Sequence, residues 1–249
     1  MRILLVYPKW TLKYGLFGLG HFAKKASTWV PLNLAYLAAV AEKKGHVVRI
    51  IDGEVENFSK DELINEIGNF KPDLVGITAT TPFYHVTLDL TKELKKRNPE
   101  IKTILGGAHI TMLKEETFDA AFDFGVIGEG EITWSEFLDY LSGGGKNVHD
   151  IKGLLYRADG KVVFTGNQVL VEDLDAIPFP ARHLLKNKDY KIATNKGTKK
   201  FTSIMTSRGC PFKCVFCSIK TFGQRVRRRT IEAVIDEIKS VISEFNIRH

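Results

Sequence analysis

The sequence predicts an α/β protein whose residues 1–142 form a five-stranded, doubly wound, flavodoxin-like parallel sheet. Three observations carry that expectation. Short apolar runs alternate with longer segments of helical period, and glycine, proline or a capping residue punctuates the changes between them. The glycine-rich turns fall after the apolar runs, at the carboxyl ends of strands, where open α/β sheets bind their ligands.

Ile3 to Tyr7 is the first strand, stopped at Pro8, and its helix runs from about Leu32 to Lys44. Gly45 supplies the left-handed residue that closes that helix. Val47 to Ile51 is the second strand, and Ser59 caps the helix that continues through Phe70. Leu74 to Thr78 is the third; its helix, Val86 to Lys96, ends before Pro99, which cannot extend it. Ile101 to Leu105 and Phe124 to Ile127 are the fourth and fifth, the last leading through Gly128-Glu129-Gly130 into an amphipathic helix from Glu131 to Leu141. Trp10 to Thr28 is long for a loop between strand and helix, and reads as a lid or ligand-contacting segment or as a surface loop.

Three consecutive glycines at 143–145 mark a boundary, since fixing them in a regular element is entropically costly. Residues 143–199 then read as a linker with a small hairpin, Leu154, Tyr156, Val162 and Phe164 flanking the turn Ala158-Asp159-Gly160-Lys161. Ile177-Pro178-Phe179-Pro180 forces an extended connection. In residues 200–249, Phe201 to Thr206 is expected as a fresh strand, followed by a cysteine loop and a helix beginning at Thr230. Ile231, Val234, Ile235, Ile238, Val241, Ile242 and Phe245 share one face of that helix. Such a face calls for a partner sheet, so the 249 residues are expected to be a fragment, a truncated reading frame or half of a split protein.

Composition narrows the class. Hydrophobic residues at 44% and charged residues at 26% are globular proportions and exclude long disorder or a fibrous repeat. A net charge of +7 permits nucleic-acid contact, but the basic residues are spread along the chain apart from Arg225 to Arg229, and no nucleic-acid partner is expected. The arginine run could meet an anionic substrate or be a solvated charged face. The longest apolar stretch, Val30 to Ala41, falls short of the roughly twenty residues a bilayer requires, and the amino terminus lacks a signal-peptide pattern, so a cytoplasmic location without a membrane span is expected.

The chemistry concentrates in one loop. Cys210, Cys214 and Cys217 are the chain's only cysteines, an odd number in a single short window that suits a metal better than disulfides. Three thiolates leave one coordination position open, as catalysis needs; a structural zinc with a histidine as fourth ligand is the alternative. Thr78 to Thr81, Gly106-Gly107 and Gly128 to Gly130 lie at strand carboxyl ends, where glycines let a large ligand approach the backbone or simply serve as turn residues.

The stretch Ser207-Arg208-Gly209-Cys210-Pro211, with Cys210-x3-Cys214-x2-Cys217 and Phe216 before the last cysteine, resembles the cluster loop of the radical S-adenosylmethionine (SAM) superfamily. Residues 1–142 are similar to the cobalamin-binding domain fused upstream of such barrels, through Pro31-Leu32-Asn33-Leu34-Ala35-Tyr36-Leu37-Ala38, Pro72-Asp73-Leu74-Val75-Gly76-Ile77, Leu105-Gly106-Gly107-Ala108-His109 and Gly128-Glu129-Gly130-Glu131. The resemblance implies a [4Fe-4S] cluster held by the three cysteines, SAM chelated by the fourth iron with its adenine against Phe216, and reductive cleavage of SAM to a deoxyadenosyl radical. Pro211, Phe212, Val215 and Phe216 would shield the cluster from water and oxygen. By the same resemblance, Thr78, Thr80, Thr81, Gly106, Gly107, His109, Gly128, Glu129 and Gly130 are candidate cobalamin contacts, and residues 200–249 begin a radical SAM (β/α) barrel. His109 reads more readily as a hydrogen-bonding residue than as a cobalt ligand, and Arg225 to Arg229 gain the SAM carboxylate as a candidate partner.

The Asp-x-His-x-x-Gly motif that supplies a histidine to cobalt in many cobalamin proteins is absent after the first strand, where Lys9-Trp10-Thr11-Leu12-Lys13-Tyr14-Gly15 stands, so by the resemblance cobalt would lack that ligand, as in many members of the radical SAM group. The function implied is a cobalamin-dependent radical SAM methyltransferase, with an oxidative cyclase or rearrangement enzyme as the neighbouring reaction and a non-catalytic cobalamin- and cluster-binding fragment as the binding-module alternative. A small-molecule substrate and a low-potential electron donor such as flavodoxin or ferredoxin are its implied partners.

Overall fold

The structure is a computed structural model that describes residues 1–9, 28–194, 197–218 and 222–247, so the expected Trp10 to Thr28 lid lies outside the described residues except for Thr28. The strand–helix rhythm appears in the expected order. It comprises β1 Arg2–Tyr7, α1 Leu32–Lys43, β2 Val47–Asp52, a one-turn α2 Gly53–Glu56, α3 Lys60–Phe70 and β3 Leu74–Thr78. Next come α4 Tyr84–Arg97, β4 Lys102–Gly106, α5 Ala108–Leu113, β5 Phe124–Val126 and α6 Gly130–Leu141.

Local chemistry fixes several of these boundaries. Ser59 accepts from the Glu62 amide while Glu62 bonds back to the Ser59 amide at 2.8 Å, a reciprocal cap for α3. Gly45, at φ 78°, takes the left-handed position after α1, as its place in the sequence predicts. The short α2 and α5 lack the run of periodic apolar residues that reveals a longer helix.

Alternation along β1 makes the sheet two-sided. Ile3 and Leu5 pack with α1 and α6 through Leu34, Ala35, Ala38, Trp134 and Phe137. Leu4 and Val6 pack on the opposite face with α3 and α4 through Leu63, Ile64, Ile67, Leu90 and Leu94. Each strand side chain removed from water contributes roughly 1.5–3 kcal/mol, and both faces of β1 collect that contribution.

The sheet is larger than the sequence predicts. Among the described residues it contains seven strands in the order β2-β1-β3-β4-β5-β6-β7, parallel through β5 and antiparallel beyond it. The hairpin β6 Leu154–Ala158 and β7 Lys161–Phe164, expected within a separate linker, pairs with β5 instead. The reason is twofold: it completes the open backbone edge of β5, and it buries Leu154 and Leu155 fully.

Residues 201–206 do not form the expected strand. Their carbonyls are taken by arginines: Arg182 donates to Ser203 O at 2.7 Å and Arg229 to Met205 O at 3.1 Å, while the Arg229 amide donates to Thr206 O at 3.0 Å. Strand pairing begins one residue later, where β10 Ser207–Arg208 meets β11 Arg227–Arg228 antiparallel. A separate hairpin, β8 Lys191–Thr194 with β9 Gly197–Lys200, precedes it.

The last helix, α7 Ile231–Phe245, starts where expected, with Thr230 accepting from the Ala233 amide at 3.2 Å. Its apolar stripe stays largely in solvent: Ile231 is 73% exposed, and Ile235, Ile238 and Ile242 are also exposed. The helix is tethered instead through buried Glu237, which pairs with Arg182 at 2.6 Å and also with Arg229. No described helix is long and apolar enough to cross a membrane.

Candidate functional site

The carboxyl ends of β1, β3, β4 and β5 open onto a cleft of about 780 Å³, toward the upper end of the roughly 300–1,000 Å³ of small-molecule and cofactor sites. Tyr7, Thr78, Thr80, Gly106, Gly107, Gly128, Glu129 and Gly130 border it on the sheet side, and α1 adds Asn33, Tyr36 and Leu37. The opposite wall comes from far along the chain: Met205, Ser207, Arg208, Gly209, Ser218 and Phe222.

The sheet side has the form of a backbone cradle. A Cβ placed on Gly106 or Gly128 would meet no protein atom within 4 Å, so a side chain there would occupy cleft space. Gly107 has a different role. At φ 99°, its added Cβ would stand 2.6 Å from Ala79 O, so glycine is needed for the two turns to approach. The Tyr36 hydroxyl is buried without a hydrogen-bond partner, although Tyr36 borders the cleft; burial is the main cause pushing its phenol up to about 12. A neutral, unsatisfied hydroxyl beside an open glycine cradle suits a large ligand carrying hydrogen-bonding groups.

Two of the expected contacts lie elsewhere. Thr81 and His109 do not border the cleft; His109 Nδ1 stands 3.3 Å from Thr81 Oγ1, and its ring stacks on Tyr84 at 4.0 Å between centroids. Burial lowers the pKa of His109. Glu129 does border the cleft, but its carboxylate is already engaged: Arg227 donates to it at 2.6 and 2.8 Å, and the Val171 amide at 3.1 Å.

The arginine run is divided: Arg225 and Arg228 are exposed, whereas Arg227 and Arg229 are turned into the protein. Arg227 and Arg229 are buried, the first paired with Glu129 and the second with Asp175 and Glu237. Exposed Arg225 pairs with Glu172. Sequence alone does not show this, because each acidic partner except Glu237 lies more than fifty residues away.

The cysteine segment has the right donors in an ungathered arrangement. Cys214 and Cys217 are exposed and Cys210 half-buried, and among the described residues no three cysteine, histidine or acidic side chains are placed to share a metal ion. Its base is fixed: the Cys210 amide donates to Gly223 O at 3.2 Å and the Cys217 amide to Cys214 O at 3.1 Å. Three thiols within one short segment fit a cluster by their donor chemistry. The expected shield does not form. Phe212, Val215 and Phe216 are exposed, Phe216 at 90%, because no described element packs over the loop. Phe216 nevertheless joins Cys214, Cys217, Met112 and Gln224 around a shallow hollow of about 420 Å³.

A further buried group went unrecognised in the sequence. Asp52, at the end of β2, accepts from the Tyr190 hydroxyl at 2.8 Å and from the Glu54 amide at 3.0 Å. Burial raises its carboxyl to about 6 despite those hydrogen bonds. Asp52 in turn helps raise the phenol of Tyr7, on the cleft wall, although burial is the larger cause.

A family model described as a B12 binding domain matches residues 20–138. An uncharacterized methyltransferase of Pyrococcus horikoshii is 39% identical over 225 residues, 89% of this chain and 48% of that protein. The anaerobic magnesium-protoporphyrin IX monomethyl ester cyclase of Rubrivivax gelatinosus is 34% identical over 257 residues, 99% of this chain and 44% of that protein. The chain thus spans about half the length of these curated relatives. In fold it matches the radical SAM methyltransferase TsrM of Kitasatospora setae, solved with cobalamin and a [4Fe-4S] cluster, at a TM-score of 0.70 and 19% identity, covering 98% of this chain and 46% of that one.

Proposed function

The chain belongs to the cobalamin-binding radical SAM family, and from that premise we propose that it holds cobalamin in the cleft and a [4Fe-4S] cluster at Cys210, Cys214 and Cys217. The reaction it serves is methyl transfer from cobalamin to an unactivated centre of a small-molecule substrate. The observation that carries this reading is one cleft with two walls. Gly106 and Gly128 form a backbone cradle on one side, and Gly209 and Ser218, which flank the cysteines, stand on the other.

When bound, the cluster and SAM supply a substrate-activating radical and cobalamin a transferable methyl group. The chain's own residues do the rest by position. The three cysteine thiolates would hold the cluster and leave it a site open to SAM, and Phe216 would offer its ring to the adenine. Gly106 and Gly128 admit the macrocycle to the backbone, while Thr78, Thr80 and the Tyr36 hydroxyl offer hydrogen bonds from the cleft wall. His109 and the Glu129 carboxylate have structural partners and take no part in this assignment. A low-potential donor such as flavodoxin or ferredoxin delivers the electron.

A second reading, oxidative ring closure, is favoured by the 34% identity to the cyclase. It uses the same two cofactor sites and differs in substrate. The test of the common premise is anaerobic reconstitution with iron and sulfide, followed by low-temperature EPR of the reduced protein with and without SAM. A cubane signal that shifts on adding SAM, together with cobalamin absorption retained through gel filtration, is the expected result. One tightly held zinc and no cluster would overturn it and leave a metal-stabilised binding module.

A further inference from the structure

The two walls of the cleft are joined by four charged side chains. Glu129 and Glu131 alternate with Gly128 and Gly130, so the turn that borders the cleft with its glycines also carries two carboxylates. Arg208 and Arg227 face each other as cross-strand partners in the β10–β11 ladder, one just before the cysteine segment and the other after it. Arg227 pairs with Glu129 at 2.6 Å; Arg208 donates to both oxygens of Glu131 at 2.5 and 3.1 Å and stands 3.6 Å from Glu129. No side chain of the four exceeds 11% exposure.

The ends of the cysteine segment are therefore pinned. Gly209 lies so close to the returning chain that an added Cβ would fall 2.1 Å from Arg225 O, whereas Cys214 to Cys217 are exposed. Arg227 also donates to Phe222 O at 2.9 Å, and Phe222, like Gly209 and Ser218, borders the cleft.

We propose that Glu129, Glu131, Arg208 and Arg227 form a clamp that couples metal loading of the cysteine segment to occupancy of the cofactor cleft. The proposal rests on the cofactor assignment above. Ligation by three thiolates restrains the exposed tip, and the clamp passes that restraint to the cleft wall through Arg208-Gly209 on one side and Arg227 on the other. A ligand entering the cleft then meets a more restrained wall and loses less conformational entropy on binding. The coupling is reciprocal, so a filled cleft favours cluster assembly by the same factor. Neither glutamate carboxylate has to touch a cofactor; both are positioning residues.

The test compares the Kd for hydroxocobalamin, from absorbance titration under anaerobic conditions, before and after reconstitution with iron and sulfide. For the wild-type chain the expected ratio is roughly fivefold or more in favour of the cluster-loaded protein, within the usual range of coupling between sites. In Glu131→Gln and Glu129→Gln, each checked for its fold by circular dichroism, the ratio falls to about one while both ligands still bind. A purely structural role would weaken cobalamin equally in both states and leave the ratio at its wild-type value, which would overturn the clamp. Glu131→Gln, at the more exposed carboxylate, decides the matter if Glu129→Gln does not fold. A wild type that binds both cofactors with a ratio near one overturns the clamp alone; one that takes up neither overturns the functional reading with it.

Discussion

The sheet wall of the cleft and the cysteine segment opposite it are built on opposite principles. The sheet wall is backbone and glycine laid over a core packed on both faces, with Leu4, Val6, Leu74 and Val75 wholly buried behind it. The cysteine segment has an anchored base and an exposed tip, and its ligating side chains do not converge. The first region is shaped by its own packing; the second, on the function proposed above, would take its geometry from the metal it binds, as sites whose binding energy doubles as folding energy do.

The largest effect expected from this contrast is in the core under the cradle. Trp134 is buried, with its indole N–H donating to Leu37 O at 3.0 Å. Trp134→Ala should cost about 3–5 kcal/mol in chemical denaturation, whereas Phe216→Ala, at an exposed tip, should change stability by less than about 0.5 kcal/mol. Comparable costs for the two would break the distinction.

Next in size is a pH effect. The carboxyl of Asp52 is raised from its ordinary value to about 6 by burial, so the folded state holds a proton that the unfolded state releases between about pH 4 and 6. This contribution to stability is present below about pH 4 and falls as pH rises through 6, by about 2–3 kcal/mol at roughly 1.4 kcal/mol per unit. Asp52→Asn should flatten that part of the denaturation profile. An unchanged slope would place the titration elsewhere.

A smaller effect separates cradle from fold. Gly106 has no left-handed φ and no atom within 4 Å of an added Cβ, so Gly106→Ala should leave stability within about 0.5 kcal/mol. The added methyl nonetheless enters the cleft, and cobalamin affinity should fall about tenfold, a cost of about 1.4 kcal/mol, in an absorbance titration. Undiminished affinity would move the ligand away from β4. The smallest effect on the fold, with the largest on metal content, is expected of Cys214→Ser: thermal midpoint unchanged to within a degree or two, since the residue is exposed, and the reconstituted iron content lost.

Some of this was legible in the chain because its determinants are local. The apolar run of β1, the Ser59–Glu62 cap, the glycine after α1 and the spacing of Cys210, Cys214 and Cys217 need only neighbours in sequence. The charged residues were not legible. Arg227 reads as part of a basic run, yet its partner Glu129 lies 98 residues away, and Glu131 reaches Arg208 across 77. The same limit explains residues 201–206, whose apolar character suggested a strand until arginines from elsewhere took their carbonyls.

The sequence by itself determined the α/β rhythm and placed three thiol donors within one short segment, because periodicity, capping and residue spacing act over a few residues. Only the tertiary structure decided that the hairpin extends the sheet, that His109 stacks outside the cleft and that the buried arginines bind the cysteine segment to the cradle. Those outcomes follow from burial: a charge or an open strand edge removed from water must find its partner wherever the fold supplies one, at any distance along the chain.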